Sequence, residues 1–199
     1  MLDIEPATRV LAGLVRGVGH DRLSAPTPCP EMSLGDLLHH VDGLSVAFTM
    51  AATKSFPDGG SQAPSADAAK LGPDWRQRIP EQLAELAQAW KDEAAWTGMT
   101  EAGGVQLPAE IAGLVALDEV VIHGWDIAVA SGQGFSCDPE LLQAVHGFVE
   151  ASAAENPEGT PGLFGPPVPV PADAPLLDRV IGLTGRDPSW RPPSMSDAS

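Results

Sequence analysis

Ala109-Glu110-Ile111-Ala112-Gly113-Leu114-Val115-Ala116-Leu117-Asp118-Glu119-Val120-Val121-Ile122-His123-Gly124-Trp125-Asp126-Ile127-Ala128-Val129-Ala130-Ser131 is the stretch whose reading decides the fold. It contains no proline and runs into Gly132, a residue suited to end a helix. Ile111, Leu114, Val115, Leu117, Val121, Ile122, Trp125, Ile127 and Ala128 fall on most sides of a helix rather than along one stripe. A helix apolar nearly all round belongs inside a bundle, with neighbours on several faces. The predicted class is therefore all-α.

Working outward, Ser33-Leu34-Gly35-Asp36 resembles a capping box with Asp in place of the preferred Glu. It opens a helix to about Thr53, whose apolar side carries Leu34, Leu37, Leu38, Val41, Leu44, Val46 and Phe48. Before it, Pro6 to Val18 has helical spacing at Val10, Leu11, Leu14, Val15 and Val18, with Gly19 as the cap. Pro26, Pro28 and Pro30 make the intervening Ser24–Pro30 an extended loop. Ser55 to Pro73 reads as a polar loop with room for a short turn. A third helix is predicted over Ile79–Trp96, with Pro80 in its first turn and Leu83, Leu86, Ala87 and Trp90 inward. Gly98–Pro108, holding Gly103-Gly104, reads as a loop or a short hairpin. Asp138 as N-cap and Pro139 at the first position start a fifth helix running to about Ala154. Asn156 to Pro175 is rich in proline and glycine, and Leu176 to Leu183 forms a short helix. Residues 1–193 read as one domain, and 194–199 as a disordered tail.

Composition narrows the function. The net charge is −16, from 27 acidic and 11 basic residues. Nucleic-acid binding draws its affinity from cations neutralising phosphates, and anionic membranes attract basic segments, so neither partner is expected. No apolar run approaches the roughly 20 residues of a membrane span, and the first residues lack a secretory pattern. The expectation is a cytoplasmic protein in which Cys29 and Cys137 are free thiols.

The chemistry concentrates in two places. Glu119 and His123 lie one helical turn apart on one face, so both can reach one ion without distorting the backbone. Their neighbours Val120, Val121 and Ile122 are apolar, and a buried carboxylate and imidazole need a partner. A divalent ion is one; a plain helix-surface hydrogen bond is the other reading of the pair. The second place is His39-His40. His40 shares the face of Leu37 and Leu44, whereas His39 lies about 100° away, nearer the edge or solvent. His40 reads either as a ligand or as a hydrogen-bonded core histidine. Asp36 precedes it by one turn and serves as its orienting partner or only as a cap. Together, His40, Glu119 and His123 make a two-histidine, one-carboxylate set from two helices, which leaves a coordination position open. That pattern suits catalytic zinc, with iron(II) or nickel as alternatives. Asp126 either holds His123 or bonds to nearby backbone. Trp125 reads as core, His20 and His146 as ordinary, Arg186-Asp187 as a local ion pair or cap, and Cys29 as a buried thiol unless its loop rims the site.

Thr27-Pro28-Cys29-Pro30 followed by Leu37-Leu38-His39-His40-Val41-Asp42-Gly43, with Glu119-Val120-Val121-Ile122-His123-Gly124-Trp125-Asp126-Ile127-Ala128, resembles the two signatures of the DinB-like metal-binding superfamily. The branch it is most similar to is the actinobacterial group around the N-terminal domain of mycothiol-dependent maleylpyruvate isomerase. Phe164-Gly165-Pro166-Pro167-Val168-Pro169-Val170 and Leu183-Thr184-Gly185-Arg186-Asp187-Pro188-Ser189-Trp190 look like the close of that branch. The resemblance implies a four-helix bundle with a long crossover and an extra C-terminal helix. It makes His40, Glu119 and His123 the metal ligands. It implies a thiol such as mycothiol as cosubstrate, hence an S-transferase acting on a small electrophile. A metal-dependent hydrolase and a non-catalytic metal-binding regulatory module are the alternatives. Met32 stands where relatives carry tryptophan. The isomerase is expected to have a second catalytic domain with no counterpart in this chain, which sets maleylpyruvate isomerisation aside. Similar bundles pair, so a homodimer is the expected assembly.

Overall fold

The computed structural model describes residues 1–58 and 60–193; the expected disordered tail lies outside the described residues. Six helices form: α1 (Glu5–Gly17), α2 (Leu34–Thr53), α3 (Trp75–Ala89), α4 (Ala109–Ser131), α5 (Pro139–Glu155) and α6 (Leu176–Leu183). A hairpin of β1 (Met99–Ala102) and β2 (Val105–Pro108) precedes α4. The capping box at the start of α2 is formed, with Ser33 accepting from Asp36 N and the Asp36 carboxylate accepting from Ser33 N. Asp138 caps α5 with Pro139 in its first turn, and Gly132 ends α4 in the left-handed conformation.

α1 packs against α3 and α4, and α2 packs against the same two, so the four helices close a ring in which α4 has neighbours on both flanks. α5 lies against α4, α6 lies against α5, and the hairpin touches α2 and α4. This explains why α4 carries no polar stripe: Ala112, Leu117, Val121, Ile127 and Ala128 are all fully or nearly fully buried. No helix of the described residues is long and apolar enough to cross a membrane.

Two local expectations are corrected, and the open reading of Gly98–Pro108 is decided. α3 begins at Trp75, not Ile79, so Pro80 lies inside the helix instead of in its first turn. An interior proline costs about 3 kcal/mol. Burial of Trp75, Ile79, Leu83 and Leu86, at about 1.5–3 kcal/mol each, outweighs it. α3 also stops at Ala89, and Glu93–Trp96 is a separate 3-10 turn capped by Asp92. The segment after it is a hairpin, because Gly103 and Gly104 both adopt positive φ (58° and 81°), the backbone of a tight two-residue turn. Thr100 then donates to Ala51 O (2.6 Å), tying the hairpin to α2.

Candidate metal centre

α2 and α4 cross so that His40 from one meets Glu119 and His123 from the other. One ligand atom from each of the three lies within 4.8 Å of the other two. His123 Nε2 is 2.9 Å from Glu119 Oε2, and the rings of His40 and His123 stand edge to face, 5.1 Å between centroids. His123 is buried; Glu119 and His40 are partly open to a cleft. His39 lies about 100° round the helix, where its Nδ1 is 3.0 Å from Ser65 O and 3.2 Å from Asp67 N. Asp36 serves the helix start and Ala68 N, and does not reach His40. Of its two readings, orienting partner or cap, the cap is the one formed: the backbone N–H groups at the helix start claim its carboxylate.

The donor chemistry fits a divalent ion. His40 Nδ1 is buried and makes no hydrogen bond among the described residues. Burial lowers the pKa of His40, and the neighbouring His123 lowers it further, which keeps its ring neutral and able to ligate. His123 sits between Glu119 and Asp126, whose Oδ2 is 3.0 Å from its Nδ1. Burial works against its charged form, but hydrogen bonds to Asp126, Cys29 and Glu119 win and raise its pKa well above the ordinary value. Burial likewise opposes ionisation of Glu119, and the His123 hydrogen bond and charge reverse that, leaving its pKa lowered. The pocket thus demands positive charge beside Glu119, which a protonated imidazole or a divalent ion supplies. Asp118, one residue earlier, is buried with Oδ1 unpaired, and its pKa is raised well above the usual range by burial and by Glu119.

A second cluster, Cys29, His123 and Asp126, has metal-like spacing too. It already holds a cation: Arg186 Nη2 lies 3.0 Å from Asp126 Oδ2 and 3.3 Å from Cys29 Sγ. A second cation there meets like charge at contact distance, so the His40, Glu119, His123 set is the better site.

The three residues form the floor of a cleft of about 540 Å³, within the size range of small-molecule sites. Its rim comes from the Pro28–Met32 loop, the Leu163–Pro166 loop and Thr184–Arg186. Gly185 allows the last two to meet: its φ is +82°, and a Cβ there would stand 2.7 Å from Gly165 Cα. Cys29 is half-exposed on this rim, not an inert core thiol. Arg186 does not pair with Asp187, which bonds Ser189; it pairs with Asp126. Sequence spacing carried no signal for that contact, since 60 residues separate the partners. Trp125 is core, as read. His146 is buried and accepts from Arg179 Nη2 (2.9 Å), a partner invisible at local range.

A family model described as "Mycothiol maleylpyruvate isomerase N-terminal domain" matches residues 4–128. The uncharacterized proteins MT0763 and Rv0738 of Mycobacterium tuberculosis are each 30% identical over 188 residues, spanning 90% of this chain and 93% of theirs. Among solved structures, the mycothiol-dependent maleylpyruvate isomerase superposes with a TM-score of 0.63 at 18% identity, covering 97% of this chain and 90% of that one. A histidine-to-alanine mutant of the isomerase superposes with a TM-score of 0.64 at 17% identity, covering 90% of this chain and 85% of that one. The first superposition spans nearly both chains, so a missing domain does not separate the two folds, and the ground for setting isomerisation aside is corrected.

Proposed function

Because the chain belongs to the mycothiol maleylpyruvate isomerase N-terminal domain family, we propose that it is a metal-dependent enzyme that uses a low-molecular-weight thiol, mycothiol first, against a small electrophile. The observation that carries this reading is the convergence of His40, Glu119 and His123 at the floor of an open cleft. A divalent ion bound there, zinc in first place and nickel or iron(II) after it, would favour the thiolate of a bound thiol at neutral pH. His40, Glu119 and His123 would hold it through two neutral imidazoles and one carboxylate, which would leave one unit of positive charge to favour a thiolate. Ile122, Leu163 and Phe164 line the cleft with apolar surface against which the carbon skeleton of a small substrate can pack. The thiolate sulfur forms a C–S bond to the electrophilic carbon. Either a leaving group departs with the bonding pair, or an activated double bond accepts the pair and then takes back, through solvent, the proton that the thiol released. Retention of that adduct is S-transfer; its collapse with altered alkene geometry is isomerisation.

A hydrolase needs a base poised by the ion. Glu119 would be spent as a ligand and Asp126 is held by Arg186 and His123, so neither is free to serve as that base. Metal analysis of protein purified without a histidine tag should find about one divalent ion per chain. The visible spectrum of cobalt-substituted protein should change on adding mycothiol. An unchanged spectrum, together with turnover of ester or amide panels without thiol, would replace this reading with hydrolysis.

A further inference from the structure

Asp126 and Arg186 come from distant parts of the chain, yet they meet behind one candidate ligand. Asp126 is fully buried, and the Arg186 side chain is 10% exposed. The guanidinium grips both carboxylate oxygens, with Nε 3.2 Å from Oδ1 and Nη2 3.0 Å from Oδ2. The same Oδ2 accepts from His123 Nδ1. A neutral imidazole carries one N–H. Placing it on Nδ1 leaves the lone pair on Nε2, the nitrogen that faces Glu119. Without the guanidinium, Asp126 would lose the grip on both of its oxygens, and its plane would be free to turn and carry the imidazole with it.

We propose that Arg186 is a positioning residue for the metal centre, acting through Asp126 to fix the tautomer and plane of His123. The proposal rests on reading His123 as a ligand. It assigns the C-terminal segment a part in the site: the family match ends at residue 128, and the guanidinium that holds Asp126 lies beyond it. The guanidinium is not the staple that holds this segment down. α6 packs on α5, Val168 N donates to Gly182 O (2.8 Å), and Arg179 bonds the buried His146. Among the described residues, Arg186 hydrogen-bonds, besides Asp126, only Thr184 O, within its own segment, and Cys29 Sγ on the rim loop.

The test is competitive cobalt(II) titration of full-length wild type, Arg186→Gln, Arg186→Lys, Asp126→Asn and the Arg186→Gln/Asp126→Asn double variant, with far-UV circular dichroism as the fold check. Arg186→Gln should lower affinity about 10- to 100-fold, the usual cost of losing a group that orients a ligand. Arg186→Lys should recover part of it. The double variant should be no weaker than Asp126→Asn alone, because the arginine acts only through the aspartate. A folded Arg186→Gln with unchanged affinity, or losses that multiply in the double variant, would overturn the proposal. Should Arg186→Gln not fold, Arg186→Lys decides: an ammonium keeps the charge but not the two-oxygen grip, so unchanged affinity counts against positioning. Failure of the metal reading looks different, since wild type itself then takes up no cobalt. In that case long-range proton–nitrogen spectra of the metal-free protein still test the relay. At a pH where the ring is neutral, His123 should be the Nδ1–H tautomer in wild type and a mixture of tautomers in Arg186→Gln, and an unchanged tautomer in the variant would end the proposal.

Discussion

His39 and His40 are neighbours in sequence and face different chemistry. One step along α2 turns the side chain by about 100°, enough to move it from the ring interior to the edge. His40 meets His123, while His39 anchors the loop at Asp67. His40→Ala should therefore strip the metal, and His39→Ala should leave metal content near wild type while costing at most about 1 kcal/mol for the lost loop hydrogen bond. Glu119→Gln should weaken binding through loss of the charge that offsets the ion. Metal content by elemental analysis after gel filtration checks all three. Loss of metal in His39→Ala with retention in His40→Ala would mean that the other histidine is the ligand. That His40, Glu119 and His123 face inward was legible from helical spacing; that they form a ligand set was what the family resemblance implied. The contact of Arg186 was not legible, because nothing local distinguishes an arginine that pairs with its neighbour from one that reaches 60 residues back.

At the scale of elements, α2 and α4 each carry a testable device. The carboxylate of Asp36 is held below its usual range, first by the Ser33 hydroxyl and then by the Ala68 backbone N–H. A group depressed in the folded state stabilises above its unfolded pKa and loses that contribution as pH falls through its folded value. Asp36→Asn should therefore flatten the acid side of the stability profile below about pH 4, read as urea midpoints across pH. In α4, Gly113 sits under two indoles. A Cβ there would stand 2.5 Å from Trp96 Cζ3 and 2.8 Å from Trp90 Cζ3. Those rings pack edge to face at 4.9 Å, and Trp96 Nε1 donates to Trp90 O (2.7 Å), so neither gives way easily. Alanine gains about 1 kcal/mol of helix propensity. Overpacking costs about 1–3 kcal/mol. Gly113→Ala should thus lower Tm, and an unchanged or higher Tm would show that the indoles can shift. In an apolar helix the glycine reads as a weakness; only the packed rings show why it is there.

For the whole molecule, the core and the candidate metal site are separable. Leu11, Leu37, Leu86 and Ile127 belong to one continuous apolar cluster that runs through the bundle without needing the ion. Chelation should remove the metal and leave most far-UV helicity intact; collapse to coil would mean that the ion supplies folding free energy. The same separation marks what the sequence determined by itself. Periodicity, caps and the all-round apolar character of 109–131 are properties of neighbours within a turn or two, and they dictated the helices, the bundle class and which histidine faces inward. The start of α3 escaped that reading because burial of Trp75 overrode the usual place of proline, a contest settled by packing. The cleft escaped it as well. Its rim joins the loops at Cys29, Phe164 and Arg186, brought together only once α5 and α6 have docked. Side-chain spacing along a helix is fixed by backbone geometry, whereas contacts between distant segments are fixed by which surfaces bury each other, and that is decided only when the chain has folded.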